Sequence, residues 1–320
     1  MKKLEAFSFC VDKSDTGKRL DAYIHERVNN YSRSLISQLI RDKHVSVSGE
    51  ARKPGYRVKS GDHIAVEIPH AKASVFLPEP MDLSVIYEDE CIIVIDKPPG
   101  LVVHPAPGHF SGTLVNGLLH HCPDLKGISG EIRPGIVHRL DKDTSGVIVC
   151  AKDGMSQLDL ARQFKARIVR KEYIALVLGE LKADSGKMDQ PIGRHPSDRK
   201  KMSTRSKSSR IAETHWTIID RFNGFSLVRV DLKTGRTHQI RVHFAAAGHP
   251  IVGDAVYSGK KTQRSALTEI SRLVSTVTRQ MLHAKSLRIT HPKTREPISF
   301  EAPLPNDLVD LIDQLKSAGT

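Results

Sequence analysis

The chain has 320 residues, enough for two or perhaps three domains with well-formed cores. Its formal net charge of +13 and isoelectric point of about 9.6 indicate a polyanionic partner. The basic residues are spread along the chain, which fits an extended basic surface better than a basic tail. Its four cysteines stand far apart with no CxxC spacing, which argues against a zinc site and a disulfide framework. No apolar run has the length of a membrane span or a signal peptide, so a cytoplasmic protein without membrane contact is expected.

Residues 14–69 have the pattern of a small separate unit. Leu20, Ile24 and Val28 recur at steps of four and predict a helix, and Ser32 is placed to cap a second helix. Short alternating strands are expected after it. This order resembles the S4 RNA-binding domain, in which the helices and the following loop meet RNA. The resemblance implies RNA contact by the basic side chains of these elements, chiefly Arg33, Arg41, Lys43 and Arg52.

A second, larger unit is expected after this one. Residues 73–80 contain two prolines and little periodicity, which is typical of a linker, so the domains are predicted at residues 1–72 and 81–320. From residue 83 onward, buried strands alternate with helices, an order that favours an α+β domain on a large mixed or antiparallel sheet. The clearest strands are predicted at 92–95, 147–151, 174–178 and 225–232, and the helices at 114–121, 155–164 and 307–315.

The most informative segment is 137–146, which reads VHRLDKDTSG. It places the carboxylate of Asp141 among cations, with Arg139 and Lys142 on either side, just before a predicted buried strand. Neighbouring cations favour the ionised form of an acid, and a carboxylate of this kind suits a nucleophile or a base acting on an electron-poor centre. Taken by itself, such a segment is more often a surface ion-pair cluster. Other segments of the chain are therefore needed to decide between these interpretations.

Three further segments accompany this motif. Residues 96–105 (DKPPGLVVHP) predict a strand that ends in a rigid turn and is followed by a second short strand. Residues 171–179 (KEYIALVLG) predict another strand, which contains Tyr173. Residues 234–254 (TGRTHQIRVHFAAAGHPIVGD) predict a loop that leads into a helix, so that hydrogen-bond donors can converge on an anionic target.

The remaining patterns bear on partners and cofactors. Residues 193–210 carry seven Lys or Arg against one Asp, which is too basic for an ordinary turn and suits contact with phosphates. The spacing of His238, His243 and His249 matches no metalloprotease pattern, so no metal is expected there. The chain has no glycine-rich motif that binds a dinucleotide or a nucleoside triphosphate, so no nucleotide cofactor is expected either.

Taken together, these segments resemble the RNA pseudouridine synthases, in the branch that modifies large-subunit ribosomal RNA. The resemblance runs from about residue 14 to about residue 305. It implies site-specific isomerisation of uridine to pseudouridine in 23S ribosomal RNA without a cofactor. The amino-acid sequences of the motifs are most similar to those of enzymes that act on the helix 69 loop. It also implies that Asp141 is the nucleophile or base, that Tyr173 lies beside it, and that Arg241 is its cationic partner. Arg236 is the second candidate for that pairing.

The resemblance also implies a set of RNA contacts. Arg139 is placed to fill the gap left by the flipped base or to grip its phosphate. Contacts are further expected in the loop before the predicted helix and in the basic segment, from Arg236, His238, Gln239, Arg194, Arg199, Lys200 and Lys201. The partner is then large-subunit ribosomal RNA, free or in a pre-ribosomal particle. A second hypothesis is an S4-containing ribosome-assembly protein without chemistry, but binding alone needs no ionised acid that faces RNA.

Overall fold

The structure is a computed structural model that describes residues 5–28, 31, 33–68, 77–105, 111–127, 134–198, 201–206, 208–258 and 276–318. The helices within these ranges are α1 (Leu20–Arg27), α2 (Arg33–Arg41), α3 (Leu114–His121), α4 (Gly154–Ala166), α5 (Gln239–Ala246) and α6 (Asn306–Ala318). The strands are β1 (Glu5–Cys10), β2 (Val45–Val47), β3 (Glu50–Ala51), β4 (His63–Ile68), β5 (Val85–Glu88), β6 (Ile92–Lys97), β7 (Ser145–Ala151), β8 (Arg170–Leu178), β9 (Ser185–Met188), β10 (Ile192–Arg194), β11 (Met202–Ser203), β12 (Ser209–Arg210), β13 (Thr214–Phe222), β14 (Phe225–Leu232), β15 (Leu282–Thr290) and β16 (Pro297–Glu301).

The small N-terminal domain is an antiparallel sheet in the order β1-β4-β2-β3, with α1 and α2 sharing its core. Alternation along β4 buries Ile64 and Val66 in one apolar cluster with Leu20 and Ile24 of α1, as the sequence predicted. The sequence did not predict β1, whose six residues pair with the whole of β4. Its side chains are exposed or only partly buried, so the apolar alternation that marks β4 is weak in β1. The predicted cap Ser32 lies outside the described residues.

The larger domain is built on a nine-stranded sheet. Eight of its strands are neighbours in the order β5-β6-β7-β15-β8-β14-β13-β9, and β16 pairs with β15. The pairings are antiparallel except that of β7 with β15, which is parallel. The predicted α+β fold on a large mixed sheet is therefore confirmed, and the strands predicted at 92–95, 147–151, 174–178 and 225–232 and the helices predicted at 114–121, 155–164 and 307–315 each overlap an observed element.

A glycine allows β7 to enter this sheet next to β15. All seven residues of β7 are buried, as expected for a strand that is covered on both faces. Gly146 has a φ of 108°, and a Cβ atom there would lie 2.2 Å from the carbonyl oxygen of Ala284 in β15. Only glycine fits so close to the neighbouring backbone. This contact fixes the end of the loop that carries Asp141.

The turn after β6 differs from its prediction. No strand follows the Pro-Pro-Gly turn in the described part of residues 96–105. The carbonyl oxygens of Val102 and Val103 instead accept hydrogen bonds from the N–H groups of Leu114 and Val115, at 2.8 and 3.2 Å. The first N–H groups of a helix have no partner within the helix. The segment therefore completes the N-terminus of α3 and does not add to the sheet.

Part of the predicted linker contacts the larger domain. The side-chain amide of Asn116 in α3 donates to the carbonyl of Leu77 at 2.8 Å, and the N–H of Glu79 donates to the carbonyl of Asn116 at 3.1 Å. The domain boundaries themselves remain predictions. No helix in the described ranges is long and apolar enough to cross a membrane.

Candidate active site

Asp141 lies where the loop before β7 meets helix α5. Nη1 of Arg241 in α5 donates a hydrogen bond to Oδ2 of Asp141 at 2.9 Å. The side chain of Asp141 is 16% exposed, whereas that of Arg241 is 6% exposed. Of the two arginines that the sequence left open, Arg241 is the one that contacts the acid. The carboxylate is therefore charge-compensated and oriented, and it remains partly accessible.

A second acid binds the other edge of Arg241. Asp254, whose side chain has no solvent exposure, accepts hydrogen bonds from Nε at 2.7 Å and from Nη2 at 2.8 Å. Burial alone would lower the pKa of Arg241, but the hydrogen bonds and charges of Asp254 and Asp141 outweigh burial and raise that pKa. A guanidinium bound at both edges has little freedom to move. Asp254 therefore fixes the arginine that orients Asp141, a role that its position in the sequence did not reveal.

A buried lysine ties the turn after β6 to the loop that carries Asp141. The amine of Lys97 is fully buried and donates to the carbonyls of Pro98, Leu101 and Lys142, at 2.6, 3.0 and 2.9 Å. Burial lowers the pKa of Lys97 to about 7, while three carbonyl acceptors match the three hydrogens of an ammonium group. The contact to Lys142 holds the backbone directly after the acid.

Two more contacts hold the same loop. Before the acid, Nε2 of His138 accepts a hydrogen bond from the N–H of Val149 at 3.1 Å, and burial lowers the pKa of His138 to about 3. Its ring also stacks on Phe164 of α4. After the acid, Arg279 donates to the carbonyl of Asp143 at 3.1 Å. The histidine of the central motif is therefore a neutral structural group.

Tyr173 lies in β8, where the charge of Asp141 acts on it. It pairs with Val230 of β14 and with Ala284 of β15, and it is 7% exposed. Burial and the nearby charge of Asp141 raise the pKa of its hydroxyl, which keeps the phenol protonated at neutral pH. A neutral phenol beside a carboxylate can stack on a base and can transfer a proton through its hydroxyl.

A chain of polar contacts connects Asp141 to the small sheet β11-β10-β12 in the basic segment. His238 precedes α5 with a φ of 55°, and its Nε2 lies 3.8 Å from Oδ1 of Asp141. Its Nδ1 lies 2.8 Å from the hydroxyl oxygen of Tyr257, which also accepts a hydrogen bond from the N–H of Met202 at 2.8 Å. The tyrosine can therefore donate its own hydrogen to His238. Burial lowers the pKa of His238, which favours the neutral imidazole.

Gln239 was expected to contact RNA, and the fold corrects this expectation. It is 3% exposed, and its amide oxygen accepts hydrogen bonds from the hydroxyl of Thr234 and the N–H of Arg236. Its amide nitrogen donates to the carbonyl of Glu213 and the hydroxyl of Thr214. The side chain is satisfied within the protein and holds the loop before α5 in place.

The other residues that were predicted to contact RNA differ in their solvent exposure. Arg139 and Arg194 are exposed, and Arg236, His238 and Lys201 are partly exposed. Arg199 and Lys200 lie outside the described residues. In the small domain, Arg41 and Lys43 are exposed, Arg33 binds Asp21 at 3.0 Å, and Arg52 binds Glu50 at 2.7 Å. The cationic character of this domain is therefore partly offset at Arg33 and Arg52.

Within the part of the chain that the structure describes, metal-ligating atoms converge at two places away from this site, Asp89–Cys91–His291 and Glu88–His121–Cys122. In the first group, His291 uses both ring nitrogens for hydrogen bonds within the protein. In the second, the ammonium group of Lys152 lies 2.7 Å from Oε1 of Glu88. Internal hydrogen bonds explain both groups, so neither supports a metal.

Comparison with known proteins identifies the family. The family model described as RNA pseudouridylate synthase matches residues 91–246, and the S4 domain model matches residues 18–64. An uncharacterized RNA pseudouridine synthase of Bacillus subtilis is 44% identical over 97% of this chain and 98% of its own length. The chain belongs to the RNA pseudouridine synthase family.

Other members of the family agree with this assignment. A protein named ribosomal large subunit pseudouridine synthase D, from Pseudomonas aeruginosa, is 40% identical over 94% of this chain and 92% of its own length. The solved structure of human RNA pseudouridylate synthase domain containing 1 is 25% identical, covers 75% of this chain and 98% of its own, and has a TM-score of 0.55. The protein is thus an RNA-modifying isomerase that carries an N-terminal S4 domain.

Proposed function

We propose that this enzyme converts uridine to pseudouridine at defined positions of large-subunit (23S) ribosomal RNA, in the loop of helix 69. The observation that carries the chemical part of the proposal is the Asp141–Arg241 pair, in which a partly accessible carboxylate is held by a buried guanidinium. The family members that are named for the ribosomal large subunit support the choice of RNA. We place the reaction in the cytoplasm, on free RNA or on a pre-ribosomal particle.

The reaction rearranges one nucleoside without gain or loss of atoms. The N1–C1′ bond of uridine breaks, the uracil turns, and a C5–C1′ bond forms, while one proton leaves C5 and one is taken up at N1. No electron acceptor or energy source is needed for this change. The protein must supply an oriented carboxylate, a proton relay and a site that holds the free base.

Asp141 performs the central step in this proposal. As the base departs, the ribose becomes electron-poor, and the carboxylate either adds to C1′ or removes the proton from C2′. Arg241 holds the acid in position, and Asp254 binds the other edge of the same guanidinium. Tyr173 supplies a ring against which the uracil stacks and a protonated hydroxyl that serves the proton transfer at C5 and N1.

Access to this pocket requires that the uridine leave its stack, which costs a few kcal/mol. Arg139 is exposed two residues before Asp141 and is placed to fill the vacated position or to hold its phosphate. The S4 domain and the basic segment supply binding energy that offsets the cost of base flipping.

The test is nucleotide-resolution mapping of pseudouridine in ribosomal RNA from cells with and without this protein. We expect pseudouridines of the helix 69 loop to disappear in its absence. We also expect purified protein to restore them on a transcript or on isolated particles with no added cofactor. Unchanged large-subunit RNA in the deletion cells would contradict the substrate assignment. Binding of RNA without any pseudouridine would favour the assembly-protein hypothesis.

A further inference from the structure

Three arginines and two exposed isoleucines gather beside the active site from elements that are far apart in sequence. Arg167 ends helix α4 with a φ of 60° and is followed by Ile168, which is 60% exposed. Arg210 ends strand β12 and is followed by Ile211, which is 65% exposed. Arg236 lies in the loop between β14 and α5. We call this set the arginine–isoleucine patch.

One hydrogen bond and one close approach bring these elements together. Nε of Arg236 donates to the carbonyl oxygen of Ile211 at 3.0 Å, so Arg236 lies against the residue that follows Arg210. Nζ of Lys171 lies beside Gly235, 3.7 Å from the position that a Cβ atom would take, so the same loop comes near the start of β8. In keeping with this geometry, burial and the charges of Arg167 and Arg210 lower the pKa of Arg236.

This arrangement has an energetic cost that the fold itself does not offset. Among the residues that the structure describes, no carboxylate forms an ion pair with the three guanidinium groups, and the charges that act on Arg236 are both positive. Like charges placed together destabilise the folded protein. Exposed apolar side chains that are grouped together indicate a binding surface, whereas single ones are common on any protein. A ligand that carries both negative charge and apolar surface would reduce the repulsion and cover the exposed isoleucines.

The patch is continuous with the pocket. Arg236 is two residues from His238, whose ring faces Asp141. Lys171 is two residues before Tyr173 in β8, so both side chains lie on the same face of the sheet. When the target uridine of an RNA strand enters the pocket at Asp141, the nucleotides next to it therefore lie along this surface.

We propose that the arginine–isoleucine patch binds the single-stranded RNA that flanks the target uridine. The planar guanidinium groups take successive phosphates, and Ile168 and Ile211 pack against the unstacked neighbouring bases. RNA fits better than an acidic protein segment, because flipping of one nucleotide exposes the faces of its neighbouring bases next to their phosphates. The patch likewise places an isoleucine directly after an arginine, at Arg167–Ile168 and at Arg210–Ile211. The inference rests on the proposed function insofar as RNA is the substrate.

The test compares equilibrium binding of a labelled oligouridylate by the full-length protein across a range of salt concentrations. The variants are Arg167→Gln, Arg210→Gln, Ile168→Ser and Ile211→Ser. The matched control is Arg295→Gln, because Arg295 is 65% exposed and is already paired with Asp159. Poly-L-glutamate serves as a competitor that has charge but no bases. Pseudouridine formation by the wild-type protein on 23S transcript and on isolated particles is measured in parallel.

We expect each of the two arginine variants to lower the slope of log affinity against log salt by about 0.7, the value for one phosphate of a single strand. Arg295→Gln should keep the wild-type slope. Each isoleucine variant should weaken RNA binding by about three- to tenfold without a change in slope and without an effect on poly-L-glutamate. Wild-type slopes in Arg167→Gln and Arg210→Gln would overturn the proposal.

The proposal would also be overturned if poly-L-glutamate competed as well as RNA and the isoleucine variants bound RNA with wild-type affinity. That result would assign the patch to an acidic protein. The binding slopes do not depend on turnover. A wild-type protein that modifies neither 23S transcript nor isolated particles while the slopes shift as expected would therefore refute the proposed substrate and leave the patch intact. The converse result would refute the patch alone.

Discussion

Replacement of Arg241 by Met tests whether this arginine holds Asp141 in position for catalysis. Met retains an unbranched stem, but the variant loses the 2.9 Å hydrogen bond to Asp141 and both hydrogen bonds to Asp254. A hydrogen bond to a charged group contributes about 1.5–3 kcal/mol, and about 1.4 kcal/mol corresponds to a tenfold change in rate. Loss of the contact to Asp141 should therefore slow isomerisation at neutral pH by about tenfold to a hundredfold.

A second variant separates the charge of the guanidinium from its geometry. Arg241→Lys should be intermediate, because lysine restores the charge but cannot bind two carboxylates edge-on.

The assay is a single-turnover rate measured at neutral pH for wild type and both variants. Thermal unfolding must accompany it, because an unpaired Asp254 costs about 3–5 kcal/mol of stability. Arg236→Met is measured alongside, because Arg236 is the other arginine that the sequence offered and its side chain bonds only the carbonyl of Ile211 among its described contacts. A wild-type rate for Arg241→Met, with loss of activity in Arg236→Met, would refute this reasoning and transfer the role to Arg236.

Three further predictions concern the surroundings of the acid. Tyr257→Phe removes the hydroxyl that holds His238, so the single-turnover rate should fall about three- to tenfold with a changed pH profile, and an unchanged profile would exclude a coupling to the acid. Gly146→Ala should lower the free energy of unfolding by at least about 2 kcal/mol in chemical denaturation, because its Cβ atom meets the carbonyl of Ala284, and an unaltered midpoint would contradict the contact. Deletion of residues 1–72 should leave a folded enzyme with weaker and less salt-dependent RNA binding, and an unchanged salt slope would mean that this domain does not touch RNA.

Features with a strong local signal were predicted from the sequence. The apolar run at 147–151 and the helical periodicity at 114–121 gave the correct elements, because their burial follows directly from side-chain spacing. Asp141 was found because its neighbours are polar and its motif is long. Strand β1 was missed because it lies at a sheet edge with half-exposed side chains.

The supporting groups of the site could not be predicted in the same way. Lys97 ends an apolar strand, and its three acceptors come from a turn and from a loop about 45 residues further along the chain. Asp254 and Tyr257 follow α5 in a segment without periodicity, and they acquire meaning only when the fold brings them under Arg241. Gln239 was assigned to RNA through the resemblance of its motif, whereas the turn before α5 buries it. Long-range packing decides these roles, and a single sequence does not encode it in a readable pattern.

The central claim is that the carboxylate of Asp141 performs the isomerisation. Asp141→Asn keeps the size of the side chain and one acceptor for Arg241 but removes the charge and the nucleophile. Asp143→Asn is the matched control, because it makes the same change in the same loop, two residues after the acid. The measurement is single-turnover pseudouridine formation on 23S transcript with saturating enzyme. The account predicts no detectable product from folded, RNA-binding Asp141→Asn and near-wild-type product from Asp143→Asn, whereas near-wild-type turnover by Asp141→Asn would contradict it.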